Sequence, residues 1–333
     1  MNKTVKQLAG SLLYRSGLLH LYLKLIFLRR KEFGAVILYY HRFVRDRETA
    51  MDPHPSVTHL IDAFEAEVGF LKRYFDIISL DAAVATLKAS RKFTRPAVVI
   101  SVDDGYRDNF NLLYPVLRKH QIPAVIFLAT GPIGTGDRLW VDDLARMVAE
   151  TSSATVALEG LGTLSLEDFR QKRDAFKRIV EMLKGMDQDR RIEALRQLAG
   201  KLGKASAGER SMLTWEEVRT MHKGGVDFGA HTMTHPILSR VPLEKAREEI
   251  AGSKSRIERE LGTTVRHFAY PNGRRQDMSE DLNRLCRNSG FESVSTTVAG
   301  RNASPADRFD LKRIGAEEPI ELFALALVKA FLS

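Results

Sequence analysis

Two hydrophobic patterns alternate along most of this chain. Ala35–Tyr40, Asp76–Ser79, Ala97–Val102, Ala124–Ala129, Val226–Ala230, His267–Tyr270 and Ser293–Thr296 are short, mostly apolar runs, as expected of strands covered on both faces. Between them lie helical patterns. Leu60, Phe64, Val68, Leu71 and Phe75 recur at three- and four-residue spacings. Ala246, Ile250, Ser253, Ile257 and Leu261 do the same, which leaves Glu248, Glu249, Lys254, Arg256 and Glu258 for solvent. Strands alternating with helices predict a parallel sheet, and about seven of them favour a closed or nearly closed α/β barrel over an open sheet. No G-x-G-x-x-G follows the first strand and no G-x-x-x-x-G-K-[ST] occurs, so nothing supports a nucleotide-binding fold.

Three segments depart from the alternation. Residues 137–210 are charged and, from Leu166 to Leu202, mostly helix-forming; they read as a helical insertion within a barrel spanning 35–318. Residues 319–333 predict a C-terminal helix. Residues 1–34 predict a basic amphipathic helix, with Leu18, Leu19, Leu21, Leu23, Leu25, Ile26, Phe27 and Leu28 interrupted by His20 and Lys24 and followed by Arg29, Arg30 and Lys31. A spanning helix needs roughly 20 mostly apolar residues, and a secretory signal ends in small residues; neither fits. The chain is therefore expected in the cytoplasm, with two readings open for the helix. It packs against the barrel, or residues 8–31 lie on an anionic membrane at the inner face.

Composition narrows the picture. At 333 residues and 44% hydrophobic, the chain can bury a sizeable core. Lys and Arg number 51 against 42 Asp and Glu, a net charge of +9, which favours polyanions or anionic lipid surfaces. No basic run is interleaved with stacking aromatics in a recognisable module, so nucleic acid is not an expected partner. A single cysteine, Cys286, excludes an internal disulfide.

The chemistry sits where strands end. Ala97–Val102 runs into Asp103-Asp104-Gly105-Tyr106, and ligands of parallel barrels gather at the carboxyl ends of strands. Adjacent carboxylates there point in different directions, so one can hold a metal while the other faces a reacting water. Val226–Ala230 likewise runs into His231-Thr-Met-Thr-His235; on one helical turn this spacing would put both imidazoles on a common face. Two nitrogens and a carboxylate oxygen leave positions open for water and substrate and suit Zn²⁺, or equally Co²⁺ or Fe²⁺. Such an ion lowers the pKa of water toward about 7 and polarises a carbonyl, and the second carboxylate can act as general base.

The strand-D-D-G-Y and H-T-x-x-H-P elements, in this order, resemble the first two motifs of the polysaccharide deacetylase (NodB-homology, carbohydrate esterase family four) proteins. The likeness extends over about 35–136 and 211–316, including Leu213-Thr-Trp-Glu-Glu-Val, Phe268-Ala-Tyr-Pro-Asn-Gly273 and Gly290-Phe. It implies a deformed (β/α) barrel, a general base at Asp103, metal ligands Asp104, His231 and His235, and an oxyanion donor in the amide of Tyr106. The implied activity is metal-dependent removal of N-acetyl groups from amino sugars of a polysaccharide or a lipid-linked oligosaccharide.

Two departures matter. The family's third motif often carries an Arg two residues before a Pro, which orients the base; here Ala269-Tyr270-Pro271-Asn272-Gly273 lacks it, with Tyr270 or Arg274 as substitutes. The late motif usually supplies a His as acid, but Asp310-Leu-Lys-Arg313-Ile-Gly315 has none. His41, at the end of Ala35–Tyr40, is the expected replacement and resembles the Y-H element of one family branch. Tyr106, Tyr270, Pro271, Asn272 and Arg313 are expected at the substrate, with Trp140 and Trp215 as further candidates for sugar stacking. Two alternatives remain: a non-catalytic, metal-containing glycan-binding protein on the same barrel, and a glycosidase, which would need paired carboxylates about 5–10 Å apart and no metal.

Overall fold

Ala97–Asp104 is the longest strand of the sheet, and all eight of its residues are buried. In the computed structural model, which describes residues 10–29, 32–46, 57–206 and 210–332, it is the second of seven strands that form a nearly closed barrel. The strands are β1 (Ala35–Tyr40), β2 (Ala97–Asp104), β3 (Val125–Leu128), β4 (Asp227–Ala230), β5 (His267–Ala269), β6 (Ser293–Ser295) and β7 (Arg313–Gly315). All pairings are parallel, in the order β6-β5-β4-β3-β2-β1-β7. A parallel bridge from Ser295 to Leu311 nearly closes the ring, and the Thr296 amide donates to the Leu311 carbonyl at 2.9 Å. The expectations for Leu8, Ala9, Arg30 and Lys31 lie outside the described residues.

The membership of the ring differs from the sequence expectation. Asp76–Ile77 is a two-residue strand that pairs only with the start of β2, at Ala97 and Val98. The seventh barrel strand is instead β7, which is three residues long and carries an arginine and a glycine. So short and polar a strand leaves no hydrophobic run to read; its pairing with Ile37, Leu38 and Tyr39 of β1 defines it.

The alternation within each strand sorts side chains to two faces. Val36, Leu38, Val98, Ile100, Val102, Ile126 and Leu128 join the cluster under the surrounding helices. Ala35, Ile37, Ala97, Val99, Val125 and Phe127 join a second cluster with Leu80, Ala83, Val84 and Leu87 of helix Leu80–Lys88. That helix lies across the amino ends of the strands, where Asp81 pairs with His267 at 2.8 Å at the first residue of β5. Register then aligns the opposite ends: Asp104 stands beside Leu128, Leu128 beside Ala230, and Ala230 beside Phe268. His41, Asp103, Asp104 and His231 therefore share one rim.

Residues 140–202 contain helices Trp140–Glu150, Phe169–Lys184 and Gln188–Leu202, and an antiparallel hairpin of Thr155–Leu158 with Gly162–Ser165. The hairpin was not expected; its buried apolar positions are Val156 and Leu164, too few for a period. Helix Trp215–Lys223 begins with the capping box of Thr214 and Glu217.

At the amino-terminal side, a helical segment over residues 10–15 leads into α1 (Leu18–Arg29). Leu19 and Leu23 are buried, His20 stacks on Tyr74, and Phe27 meets Phe33 and Phe75 edge-on. Its other face exposes Leu18, Leu21, Tyr22 and Leu25. The helix thus packs on the body while keeping an apolar face in solvent. No helix among the described residues is long and apolar enough to cross a membrane.

Phe64 stands under the carboxyl end of β1, fully buried and edge-on to Tyr40 at 5.2 Å and Phe43 at 5.3 Å. Phe64→Ala is expected to destabilise the protein by about 3–5 kcal/mol, read as a lower denaturant midpoint with an unchanged slope.

Candidate active site

The rim begins with a sharp turn. Asp104 has φ 76° and Gly105 φ 86°, a conformation that an aspartate adopts only at a cost. It sends the two carboxylates apart: Asp104 toward His231 and His235, Asp103 across the barrel toward β7. His231 follows β4 directly, and its Nδ1 lies 2.7 Å from the carbonyl oxygen of Ala269. That carbonyl accepts only from an N–H, so in the neutral imidazole Nε2 is the nitrogen left to bind a metal. Asp104 Oδ1 lies 3.4 Å from His231 Nε2 and 3.2 Å from His235 Nε2, with the rings 4.9 Å apart.

The two histidines do not share a helical turn, as their spacing had suggested. Residues 231–235 are a loop with Thr232 at φ 67° and His235 at φ 57°. The Thr232 hydroxyl accepts from the His235 amide at 3.1 Å. Glu249, expected to face solvent, is fully buried behind this loop. Its carboxylate accepts from the amides of Met233 and Thr234, each at 2.8 Å, and from the Thr234 hydroxyl at 2.7 Å. Helical periodicity treated Glu249 as one more charge on a polar face and missed this role; the only signal in the sequence was its place beside the buried stripe at Ile250.

Asp104, His231 and His235 each offer one ligand atom, all within 4.8 Å of one another. Asp104 Oδ1 is buried with no hydrogen-bond partner, an arrangement that is costly for an anionic oxygen unless a cation is bound there. Burial disfavours the charged form of Asp104, but His235 and His231 outweigh it and hold its carboxyl well below the usual range. Geometry and donor types together fit a divalent metal ion with positions left open.

Arg313, expected against the substrate, meets Asp103. It is fully buried. Its Nη1 and Nη2 donate to the two oxygens of Asp103 at 2.7 and 2.8 Å, and its Nε donates to the Thr296 carbonyl at 2.8 Å. Burial would raise the pKa of Asp103, but the guanidinium prevails and lowers it. Arg313 thus stands where the third motif's missing Arg was sought, and neither suggested substitute reaches Asp103. The Tyr270 hydroxyl donates to Asn283 at 2.9 Å, and Arg274 pairs with Glu181 of the insertion at 2.8 Å.

The remaining candidates divide. His41 reaches the site, with Nε2 4.0 Å from Asp103 Oδ2; burial lowers its pKa against the pull of both aspartates. The amide of Tyr106 lies between committed neighbours. Gly105 N–H donates to Asp103 at 3.0 Å and Arg107 N–H to Ser211 at 2.7 Å. The Tyr106 ring turns away to Asp142 and Arg42. Pro271 is buried, and the Asn272 amide is clamped between Asp277 at 2.6 Å and Lys184 at 2.9 Å, so both serve the loop rather than the mouth. Trp140 and Trp215 lie under Arg191 and Arg256, and Trp215 is buried. Two residues were overlooked beside the D-D-G-Y element. Asp108 accepts from the Phe43 amide at 3.0 Å and Asn109 donates to the His41 carbonyl at 2.9 Å, fixing the loop that carries His41.

The family model for polysaccharide deacetylase matches residues 90–294. YxkH of Bacillus subtilis (strain 168), provisionally named a polysaccharide deacetylase, is 20% identical over 252 residues. That match takes in 75% of this chain and 63% of YxkH, so the chain spans less than two thirds of that relative. Among solved structures, Streptococcus pyogenes deacetylase PplD in complex with acetate superposes with a TM-score of 0.58 at 19% identity, covering 90% of this chain and 99% of that one. IcaB from Ammonifex degensii gives 0.57 at 17%, covering 90% and 98%. At such identities these likenesses speak to the fold.

Because Glu249 holds the loop between the two histidines, Glu249→Ala is expected to weaken Zn²⁺ binding by about 10–100-fold. Chelator competition measures this, with helix content by circular dichroism retained.

Proposed function

The chain belongs to the polysaccharide deacetylase family, and from that premise we propose that it is a metal-dependent hydrolase. It removes N-acetyl groups from amino sugars of a polysaccharide or lipid-linked glycan and releases acetate. The observation that carries this reading is the three-residue cluster with its orphaned Asp104 oxygen, placed beside a separate carboxylate that an arginine holds ionised. A glycosidase has no use for such a cluster.

Asp104, His231 and His235 are the ligands in this reading, and two imidazoles with one carboxylate suit Zn²⁺, with Co²⁺ or Fe²⁺ as alternatives. A bound ion would polarise the acetamido carbonyl and acidify a water. Asp103 accepts a proton from the attacking water as it adds to the carbonyl carbon. Arg313 keeps Asp103 ionised and aimed, through its bidentate grip. The Tyr106 amide donates to the oxygen on which negative charge develops. His41 then delivers a proton to the sugar nitrogen as the C–N bond breaks, leaving acetate and a free amine. His41 stands on the same rim, with Nε2 4.0 Å from Asp103, and in its protonated form is placed for that transfer.

Acetate release from N-acetylhexosamine oligomers and lipid-linked oligosaccharides tests the reading. Activity is expected only with metal present and is lost on chelation or in Asp103→Asn. Metal binding with no acetate from any substrate would instead leave a glycan-binding protein. His41→Ala is expected to lower kcat by about 10²–10⁴-fold with metal affinity kept. In Arg313→Met the acid limb of the pH–rate profile is expected to move to higher pH, because Asp103 loses the charge that lowers its pKa and must still be ionised to act.

A further inference from the structure

An apolar groove of about 840 Å³ leads away from the catalytic rim. Its inner end is formed by Tyr39, Thr297 and Arg313. The Tyr39 ring stands edge-on to His41 with centroids 5.8 Å apart, and Arg313 is the residue that grips Asp103. From there the groove passes Ile314 and Gly315 to Leu322, Leu325 and Ala326 of the C-terminal helix Ile320–Leu332, and ends at Leu13. Leu13 and Leu325 also border a second apolar concavity, of about 450 Å³, floored by Leu18, Leu21, Tyr22 and Leu25 of α1. These are among the most exposed large apolar side chains of the protein. The two concavities, which share Leu13 and Leu325, make up a track that begins beside the site, and the lining of the larger one includes the exposed charges Glu317 and Lys329.

We propose that this track binds the apolar tail of the substrate, a single alkyl or isoprenoid chain joined to the N-acetylated sugar, so that the glycan is presented to the site while still lipid-linked. The proposal rests on the deacetylase reading for its head group and deepens it by choosing between the two glycan classes. Three observations select this occupant. A polysaccharide has no long apolar segment to lay along Leu13, Leu322, Leu325 and Ala326. A bilayer surface can rest on the exposed leucines of α1 but cannot follow a recessed groove inward to Tyr39. Lys329 in the lining offers a cation to the anionic linkages that accompany such lipids. The volume lies within the range of built ligand pockets, and an exposed apolar face of this kind needs a partner.

The test uses the full chain and a series of alkyl N-acetylglucosaminides (butyl, octyl and dodecyl) below their micellar concentrations, with binding measured by calorimetry on Asp103→Asn to prevent turnover. Affinity is expected to rise at least about tenfold from butyl to octyl, full burial of the added methylenes giving on the order of a hundredfold. Leu13→Glu, at an exposed position, and Ala326→Trp, which fills the groove, are each expected to abolish the rise. Each should leave acetate release from a tail-less N-acetylhexosamine oligomer unchanged, which also reports that the variant is folded. Binding is read without turnover, so a chain-length effect persists even if no acetate is ever released; that outcome would sink the deacetylase reading and keep the groove. Equal affinity for butyl and octyl overturns the proposal. So does sedimentation with phosphatidylglycerol vesicles without a chain-length effect, which makes the face a bilayer dock. A dimer that Leu18→Glu splits, again without a chain-length effect, makes it a contact between two copies and overturns the proposal as well.

Discussion

The pair of Asp103 and Arg313 joins the second strand of the barrel to the last, and much of the rim depends on it. Both side chains are buried, where a lone charge of either sign would be strongly disfavoured. The pair is tolerable because every guanidinium nitrogen donates: two bonds to the carboxylate, one to Thr296, and a further approach to Ser101. The Tyr39 and Phe127 rings flank the guanidinium at 5.1 and 5.6 Å and keep water from it. The same contact brings the short, polar β7 against β1 and holds one carboxylate ionised at the rim. In the proposed reaction the structural clamp would also be what poises the base.

The rest of the site is held from behind rather than by its own turn. His231 is oriented by a backbone carbonyl of the next strand, and the loop to His235 is held by a carboxylate that belongs to a helix. Asn109 and Asp108 tie the His41 loop to the turn that carries Asp103 and Asp104. Each functional side chain therefore has a buried partner on a different element. The two left-handed residues of the histidine loop and the one at Asp104 are strained positions that such support makes tolerable.

The terminal segments extend the same logic outward. Helix Ile320–Leu332 and α1 cover the barrel beside β1 and β7, with Phe331 stacked on Phe75 and Phe27 edge-on to it. Their buried faces complete the core, while their outer faces leave a groove that begins at the residues flanking the site. The apolar surface that a soluble fold would be expected to hide is thus placed where an amphiphilic substrate would need it.

What the sequence by itself determined was whatever lay in a continuous run. Strand-length apolar stretches ending in Asp103-Asp104 and His231, and amphipathic helices between them, define a parallel barrel whose polar residues gather at one rim, because periodicity and chain direction are local properties. The arginine that grips Asp103 was not legible in this way. Arg313 lies 210 positions from Asp103, on a strand too short to show a pattern, and only closure of the ring brings the two together. Glu249 was misread for a related reason: a helical wheel separates buried from exposed positions but cannot know that a loop will offer three donors to a carboxylate at the boundary. The shape of the histidine turn, the hairpin of the insertion and the groove between the terminal helices and β7 likewise depend on contacts distant in sequence, and only the tertiary structure decided them.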